Sequence, residues 1–306
     1  MGSLSEQTGQ AQRWELDGRT VPVSNLDKLF WPEDGLTKGH LLAYYRQMGP
    51  IMLPYFQDRP VTLRLYPDGI HGFNYYRREP PNHAPAWLRT GEYRPRTGDR
   101  PRRVILVDDL ASLVWLANQA SIEFHLWASR LPHLHQPDMA IFDLDPGEEA
   151  DFPKVLQAAL LLQEALDQVG LKGFPKTSGG HGLHVYAPLA PGYTFPQVRR
   201  WVKRMAQRLA AAHPQLLDVA HGATHQGSHV TVDYAQNSIA RNTAAPYTLR
   251  ARPGAPISTP LTWDEVAAGQ LRPRDFTLRT VPARVQKLGD LFRPVLERKQ
   301  KLPDPS

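Results

Sequence analysis

Short segments that alternate apolar and polar residues are separated here by segments with the periodicity of amphipathic helices, and this pattern predicts a mixed α/β or α+β fold. Two further observations agree. At 306 residues and 41% hydrophobic content the chain can bury a sizeable core, as one large domain or two modest ones. No apolar run approaches membrane-spanning length and no apolar leader marks export, so no membrane partner is expected. The absence of cysteine excludes disulfides, thiol catalysis and cysteine-ligated zinc, and fits a cytoplasmic location. A net charge of +6 favours a polyanionic partner.

Residues 1–12 are polar and expected to form a disordered tail. Residues 14–23 read as a hairpin turning at Asp17-Gly18. Residues 24–38, SNLDKLFWPEDGLTK, read as a loop with a short helical turn, carrying Lys28 and Lys38. Thr37 is placed to cap a helix running to residue 53, with Leu41, Leu42, Tyr45, Met48 and Met52 on one stripe. A strand follows at 59–66. From 69 to 103 the chain is rich in Pro, Gly, Arg and aromatics, and irregular stretches of that length are functional or disordered. Tyr75, Tyr76, Arg77 and Arg78 there combine stacking surfaces with cations, which suits single-stranded nucleic acid. The alternative is that these aromatics anchor a core and the arginines form its solvated rim.

Strands are predicted at 104–107 and 121–127, the latter carrying His125, with a helix at 110–119 between them. The segment MAIFDLDPG, residues 139–147, has strand character and ends in a Pro-Gly turn. Alternation puts Ile141, Asp143 and Asp145 on one face and Phe142 and Leu144 on the other. Two carboxylates on one face repel, and near a core they are costly to keep ionised unless cations lie between them. Hard divalent cations prefer such oxygens. The alternative is a strand end whose aspartates simply meet water.

Pro153 marks the first turn of a helix over 154–169, closed by Gly170. PKTSGGHG, residues 175–182, is a glycine-rich turn leading into a strand at 183–188. In it Gly179 and Gly180 allow backbone N–H groups near an anion, with Ser178 and His184 as further donors. Thr194 caps a basic amphipathic helix running to residue 212, whose charged side is read as a solvated face. In SHVTVDY, residues 228–234, Val230 and Val232 share one face and Thr231 and Asp233 the other. Arg241, Arg250 and Arg252 follow in a Pro-rich remainder, with a last short helix near 263–268. If the strands of Asp143, His184 and Asp233 form one sheet, three carboxylates, an anion loop and basic arms make a metal-dependent phosphoryl or nucleotidyl transfer site.

IFDLDPG, KTSGGHGLHVYAPL, VDYAQN and TAAPYTLRARPGAPISTPLTWDEV, in this order, resemble the polymerase domain of bacterial ligase D, a primase-like polymerase of non-homologous end joining in the archaeo-eukaryotic primase superfamily. The resemblance runs from about residue 24 to about 290. It implies an α+β fold: a primase-like catalytic core with an RRM-like sheet and an N-terminal α/β subdomain. The domain would cover 13–290, leaving 291–306 as a C-terminal tail. It implies addition of nucleotides, preferentially ribonucleotides, to DNA ends and gaps, with two Mn²⁺ or Mg²⁺ ions as cofactors.

On that resemblance Asp143 and Asp145 bridge two metals and Asp233 completes the site. Ser178, Gly179, Gly180, His184 and Arg250 bind the incoming ribo- or deoxyribonucleoside triphosphate. Lys28 and Lys38 match lysines that grasp a downstream 5′-phosphate, and Tyr75, Tyr76 and Arg77 fall in the DNA-binding segment. His125 matches a histidine beside the active site. The partners implied are gapped, recessed or broken DNA ends with a 5′-phosphate, the end-binding protein Ku and a DNA ligase, in a nucleoid-associated cytoplasmic setting. Two departures stand out: His181 replaces the usual lysine, and the aromatic pair is Tyr rather than Phe. Two alternatives are a phosphatase of the haloacid dehalogenase type, whose loop wants Thr or Val where Gly147 sits, and a non-catalytic module that binds DNA ends.

Overall fold

Two sheets carry the fold of this computed structural model, which describes residues 12–95, 100–219 and 227–303. The chain opens with the hairpin of β1 (Gln12–Leu16) and β2 (Arg19–Val23), whose turn residues Asp17 and Gly18 both have positive φ, as such turns require. The tail expected at 1–12 lies outside the described residues except for Gln12, which begins β1. The expected helical turn in 24–38 is instead a small ribbon of β3 (Leu29–Trp31) and β4 (Leu36–Thr37). Thr37 then caps α1 (Lys38–Phe56) through a hydrogen bond from the His40 N–H. The helix outlasts its expected end at 53 and passes Pro50 and Pro54, because its apolar stripe continues through the buried Tyr55 and Phe56.

β5 (Val61–Leu65), β6 (Tyr75–Arg77), β7 (Thr90–Tyr93), β8 (Arg102–Ile105), α2 (Leu110–Asn118) and β9 (Ser121–Trp127) follow. Their strands form one antiparallel sheet, with β6 and β8 both on the side of β5 away from β9. The stretch read as irregular therefore contains β6, β7 and the first residues of β8.

The second sheet is built from β10 (Met139–Pro146), α3 (Phe152–Gln168), β11 (Phe174–Thr177), β12 (Leu183–Pro188), α4 (Phe195–Ala212), β13 (Leu217–Val219) and β14 (Val230–Asp233). Its order is β11-β12-β10-β14-β13. With β13 set aside as an added parallel edge strand, this is a βαββαβ unit with its first strand in the middle, the RRM-like arrangement expected. Phe142, Leu144, Leu183, Val185, Val230 and Val232 share the helix-covered face and are buried, with Phe142 edge-on to Trp201 of α4. Arg199, Arg200 and Lys203 of α4 line a separate cavity of about 440 Å³, with Arg199 and Lys203 over the Tyr234 ring.

β15 (Asn242–Ala244) crosses back and joins the first sheet beside β9, so that sheet is not built from N-terminal sequence alone. α5 (Trp263–Ala268), α6 (Val281–Leu288) and α7 (Pro294–Glu297) complete the chain. The expected tail from 291 is a correction. Phe292 and Val295 are buried, the Gln300 carbonyl accepts from the Ala190 N–H at 2.7 Å, and the Leu302 N–H donates to the Tyr193 hydroxyl at 3.0 Å, so the packed part runs to Leu302.

A buried arginine joins the two halves. Arg59 is 1% exposed and donates to the Tyr55 carbonyl (3.2 Å), the Trp127 carbonyl (3.0 Å) and Asp138 Oδ2 (2.6 Å). Removing one partner of a buried pair strands the other charge. Asp138→Ala is expected to cost about 3 kcal/mol in urea denaturation. Glu297→Ala, which breaks an exposed pair with Arg293, leaves the midpoint where it was. Equal midpoints for Asp138→Ala and wild type would contradict this.

Candidate active site

The register of the second sheet builds the site. On one side of β10, Asp143 lies directly opposite Asp233 of β14, and on the other it lies opposite His184 of β12. Asp145, two residues on, shares that face opposite Thr231. The three expected strands do form one sheet, with all three carboxylates on the face away from the helices.

Asp143 is 6% exposed, and burial, reinforced by the charge of Asp233, pushes its carboxyl up to about 7. Its Oδ2 accepts from Gln236 at 3.3 Å. Its Oδ1 is buried and receives no hydrogen bond, although His184 Nε2 stands 3.1 Å away. Asp233 Oδ1 accepts from the Ala235 N–H at 2.6 Å. The Asp145 carboxylate runs alongside Gly182, where a Cβ would come within 2.8 Å of its Oδ1 and 2.3 Å of the Leu144 carbonyl. A buried carboxylate oxygen without a donor, beside a second carboxylate, fits the chemistry of a hard divalent cation. Among the described residues no three acidic or histidine side chains already converge as a closed ligand set. The geometry is a carboxylate pair with a third carboxylate alongside.

The glycine-rich turn works differently from the sequence reading. Ser178 Oγ accepts from the N–H of Gly180 (3.1 Å) and of Gly182 (3.2 Å), so the Gly180 N–H is spent inside the turn. With its lone pairs engaged, Ser178 offers its hydroxyl proton to a ligand. Gly179 has φ +72°, and a Cβ there would meet Arg250 Cγ at 2.6 Å and the Ser258 nitrogen at 2.9 Å. Arg250 donates from Nη1 to the Ser178 carbonyl at 2.6 Å, with its Nε 3.2 Å from Glu123 Oε2. His181 is exposed at the rim, and partial burial together with the charge of Arg252 lowers its pKa.

Two buried groups escaped the sequence reading. Lys176 on β11 is fully buried beside His184, and burial together with the nearby Arg250 charge lowers its pKa. Glu123 on β9 is buried two residues from His125, with His125 Nε2 2.9 Å from its Oε2. Burial alone would raise the Glu123 pKa, but the bond with His125 and the Arg250 charge bring it down to about 2. The available signal was a single charged residue in an otherwise apolar strand, at the spacing that shares a face with a histidine.

A cavity of about 530 Å³ gathers Asp143, Asp145, Ser178, Gly180, His184 and Arg250, with Tyr76, Arg78, His125 and His181 also on its walls. Asp233 and Gly179 stand outside its lining. The structure separates Tyr75 from Tyr76, because successive residues of a strand face opposite ways. Tyr76 meets His125 edge-on, with ring centroids 6.1 Å apart. Tyr75 stacks on the exposed Phe73 at 5.6 Å, and the Arg77 guanidinium lies over the Tyr75 ring, so these three form a separate face.

Lys28 and Lys38 come together away from the cavity. The Lys38 N–H donates to the Lys28 carbonyl at 2.8 Å, and Lys28 pairs with Asp68 at 2.7 Å. Lys38 is 5% exposed, and burial with Lys28 close by lowers its pKa to about 8. The first N–H groups of α1, which a helix start can offer to an anion, are not free. Those of Lys38, Gly39 and His40 go to the Lys28 carbonyl, the Leu26 carbonyl and Thr37 Oγ1. An anion placed there would meet side chains rather than these N–H groups.

Residues 37–292 match the family model described as LigD, primase-polymerase domain. The multifunctional non-homologous end joining protein LigD of Mycolicibacterium smegmatis is 32% identical over 277 residues, which are 90% of this chain and 36% of that protein. The bifunctional non-homologous end joining protein LigD of Bacillus subtilis is 29% identical over 273 residues, 89% of this chain and 43% of that protein. The chain thus spans well under half the length of these relatives. The solved polymerase domain from Mycobacterium tuberculosis ligase D, in complex with DNA, is similar with a TM-score of 0.85 and 31% identity, covering 92% of this chain and 99% of that one.

Two glycines of the same turn separate packing from conformation. A Cβ on Gly182 drives β12 from β10 at a backbone carbonyl, which cannot yield, whereas a Cβ on Gly180 meets nothing nearer than Ser178 Oγ at 3.4 Å. Gly182→Ala is expected to cost ~1–3 kcal/mol in thermal denaturation, and Gly180→Ala under ~1 kcal/mol. Indistinguishable melting of the two variants would contradict the contact.

Proposed function

Because the chain belongs to the LigD primase-polymerase family, we propose that it is a nucleotidyltransferase that adds nucleotides, preferentially ribonucleotides, to DNA ends and gaps during double-strand break repair. The observation that carries the reading is the buried Asp143 oxygen without a hydrogen bond, opposite Asp233, in a cavity that Ser178, His184 and Arg250 also line. Asp143 and Asp145, completed by Asp233, would hold a pair of Mn²⁺ or Mg²⁺ ions, whose chemistry there would be to make a primer hydroxyl more acidic and to offset the charge of a triphosphate. The family leaves the haloacid-dehalogenase reading without support.

The chain's own residues orient the reactants. Ser178 donates its hydroxyl proton to a phosphate oxygen. Arg250 is held between the Ser178 carbonyl and Glu123, so it meets the triphosphate already positioned. Tyr76, 57% exposed on the cavity wall, offers a face to a base. Lys28 and Lys38 take a downstream 5′-phosphate, and Ku and a DNA ligase are the partners such an activity serves.

Asp143→Ala and Asp233→Ala are each expected to lower primer extension at least ~100-fold while leaving DNA affinity within about threefold. Robust extension by Asp143→Ala with Mn²⁺ would overturn the reading. Single-nucleotide incorporation is expected to be at least as efficient with ribo- as with deoxyribonucleoside triphosphates, and a strong deoxy preference would count against that part.

Lys38 gives the 5′-phosphate proposal a pH dependence. A lysine whose pKa is lowered to about 8 is a cation below that value and loses its proton above it, and a bound phosphate moves the loss upward. The preference of gapped DNA binding for a 5′-phosphate over a 5′-hydroxyl is expected to fall between about pH 7 and about pH 9.5, and Lys38→Arg to flatten the profile. A flat wild-type profile would place the phosphate elsewhere.

A further inference from the structure

We propose that Lys176 is a positioning residue that fixes the tautomer of His184, so that the ring presents its Nε2–H to the cavity. Lys176 and His184 are direct partners on the paired strands β11 and β12. Lys176 Nζ lies 2.8 Å from His184 Nδ1 and 2.5 Å from Ser258 Oγ. The Ser258 hydroxyl donates to the Thr177 carbonyl at 2.7 Å, so its oxygen has only lone pairs left for the lysine. The Tyr186 ring lies 5.5 Å from the same nitrogen. A protonated lysine amine has no lone pair and can only donate, so Nδ1, 2.8 Å away, is its acceptor.

A ring nitrogen that accepts is bare, and in a neutral imidazole the proton is then on the other nitrogen. His184 Nε2 faces the site 3.1 Å from Asp143 Oδ1, yet that oxygen receives no hydrogen bond, so the N–H is not aligned on it. The N–H remains for a ligand in the cavity that both residues line. Without Lys176 the ring is free to carry its proton on Nδ1, and Nε2 then turns a lone pair toward a phosphate oxygen, which repels it. A lysine buried only to fill space would have no reason to meet the one ring nitrogen that decides what the other can do.

The identity of the ligand rests on the polymerase reading, whereas the tautomer does not, and the experiment separates them. Nitrogen-15 NMR of histidine-labelled protein, with His184 assigned through His184→Ala, reads the protonated nitrogen directly. Wild type is expected to show His184 with Nε2 protonated and Nδ1 bare. Lys176→Met, similar in length but without a donor, gives a mixture of tautomers. In extension assays Lys176→Met raises the nucleotide KM about tenfold and moves kcat far less. In a His184→Ala background the same substitution adds nothing, because it acts through that ring.

A wild-type ring protonated on Nδ1 overturns the proposal, and this spectrum decides the tautomer even where Lys176→Met does not fold. A folded Lys176→Met protein with an unchanged tautomer, or additive effects in the double variant, overturns it as well. Extension missing from wild type would overturn the polymerase reading and leave the tautomer result standing.

Discussion

The arrangement depends on one register: Asp143 of the central strand directly opposite Asp233 of its neighbour. Burial of Asp143, reinforced by the second carboxylate, is an electrostatic cost to the fold and pushes the Asp143 carboxyl up to about 7. A slip of β10 by one residue would carry Asp143 to the helix-covered face and bring Phe142 and Leu144 to the cavity. The apolar face therefore locks the acidic one in place. Burial of hydrophobic residues against α3 and α4 is what keeps two like charges together.

Around that pair the polar side chains are arranged in layers of support. Arg250 is held by Glu123 and by the backbone of the Ser178 turn, and Glu123 also meets His125. Lys176 sits behind His184 in the same way. These groups stand on strands or on the segment after β15, and both sheets contribute residues to the cavity lining. Rigid elements hold such groups more accurately than mobile loops do, and charge placed in advance need not reorganise during reaction.

Much of the core was legible because its signals are local. Alternation in residues 139–147 and 228–234 assigned each carboxylate to a face without knowledge of the partner strand. Thr37 and Thr194 as the N-cap positions of α1 and α4 were legible for the same reason. What lay hidden depends on contacts distant in sequence. β6 and β7 are short strands that exist only because β5 and β8 accept them. β15 joins a sheet whose neighbour, β9, lies more than a hundred residues earlier. Tyr75 and Tyr76 read as one stacking unit until pairing with β5 fixed them on opposite faces. Lys176 carried no signal of its own in the glycine-rich segment, and only the pairing of β11 with β12 shows it buried behind the histidine. The first N–H groups of α1 are consumed by the carbonyls of Leu26 and Lys28, in the loop before β3, and by the cap.

The central claim is that the Asp143–Asp233 pair is a divalent cation site, and direct Mn²⁺ titration tests it without reference to catalysis. Calorimetry on wild type should show binding accompanied by proton release near pH 6, where Asp143 is largely protonated, and little release near pH 8. Asp143→Asn and Asp233→Asn should each weaken that binding at least ~10-fold. Mn²⁺ binding of wild-type strength in the Asp143→Asn protein, with the same proton release, would contradict the account.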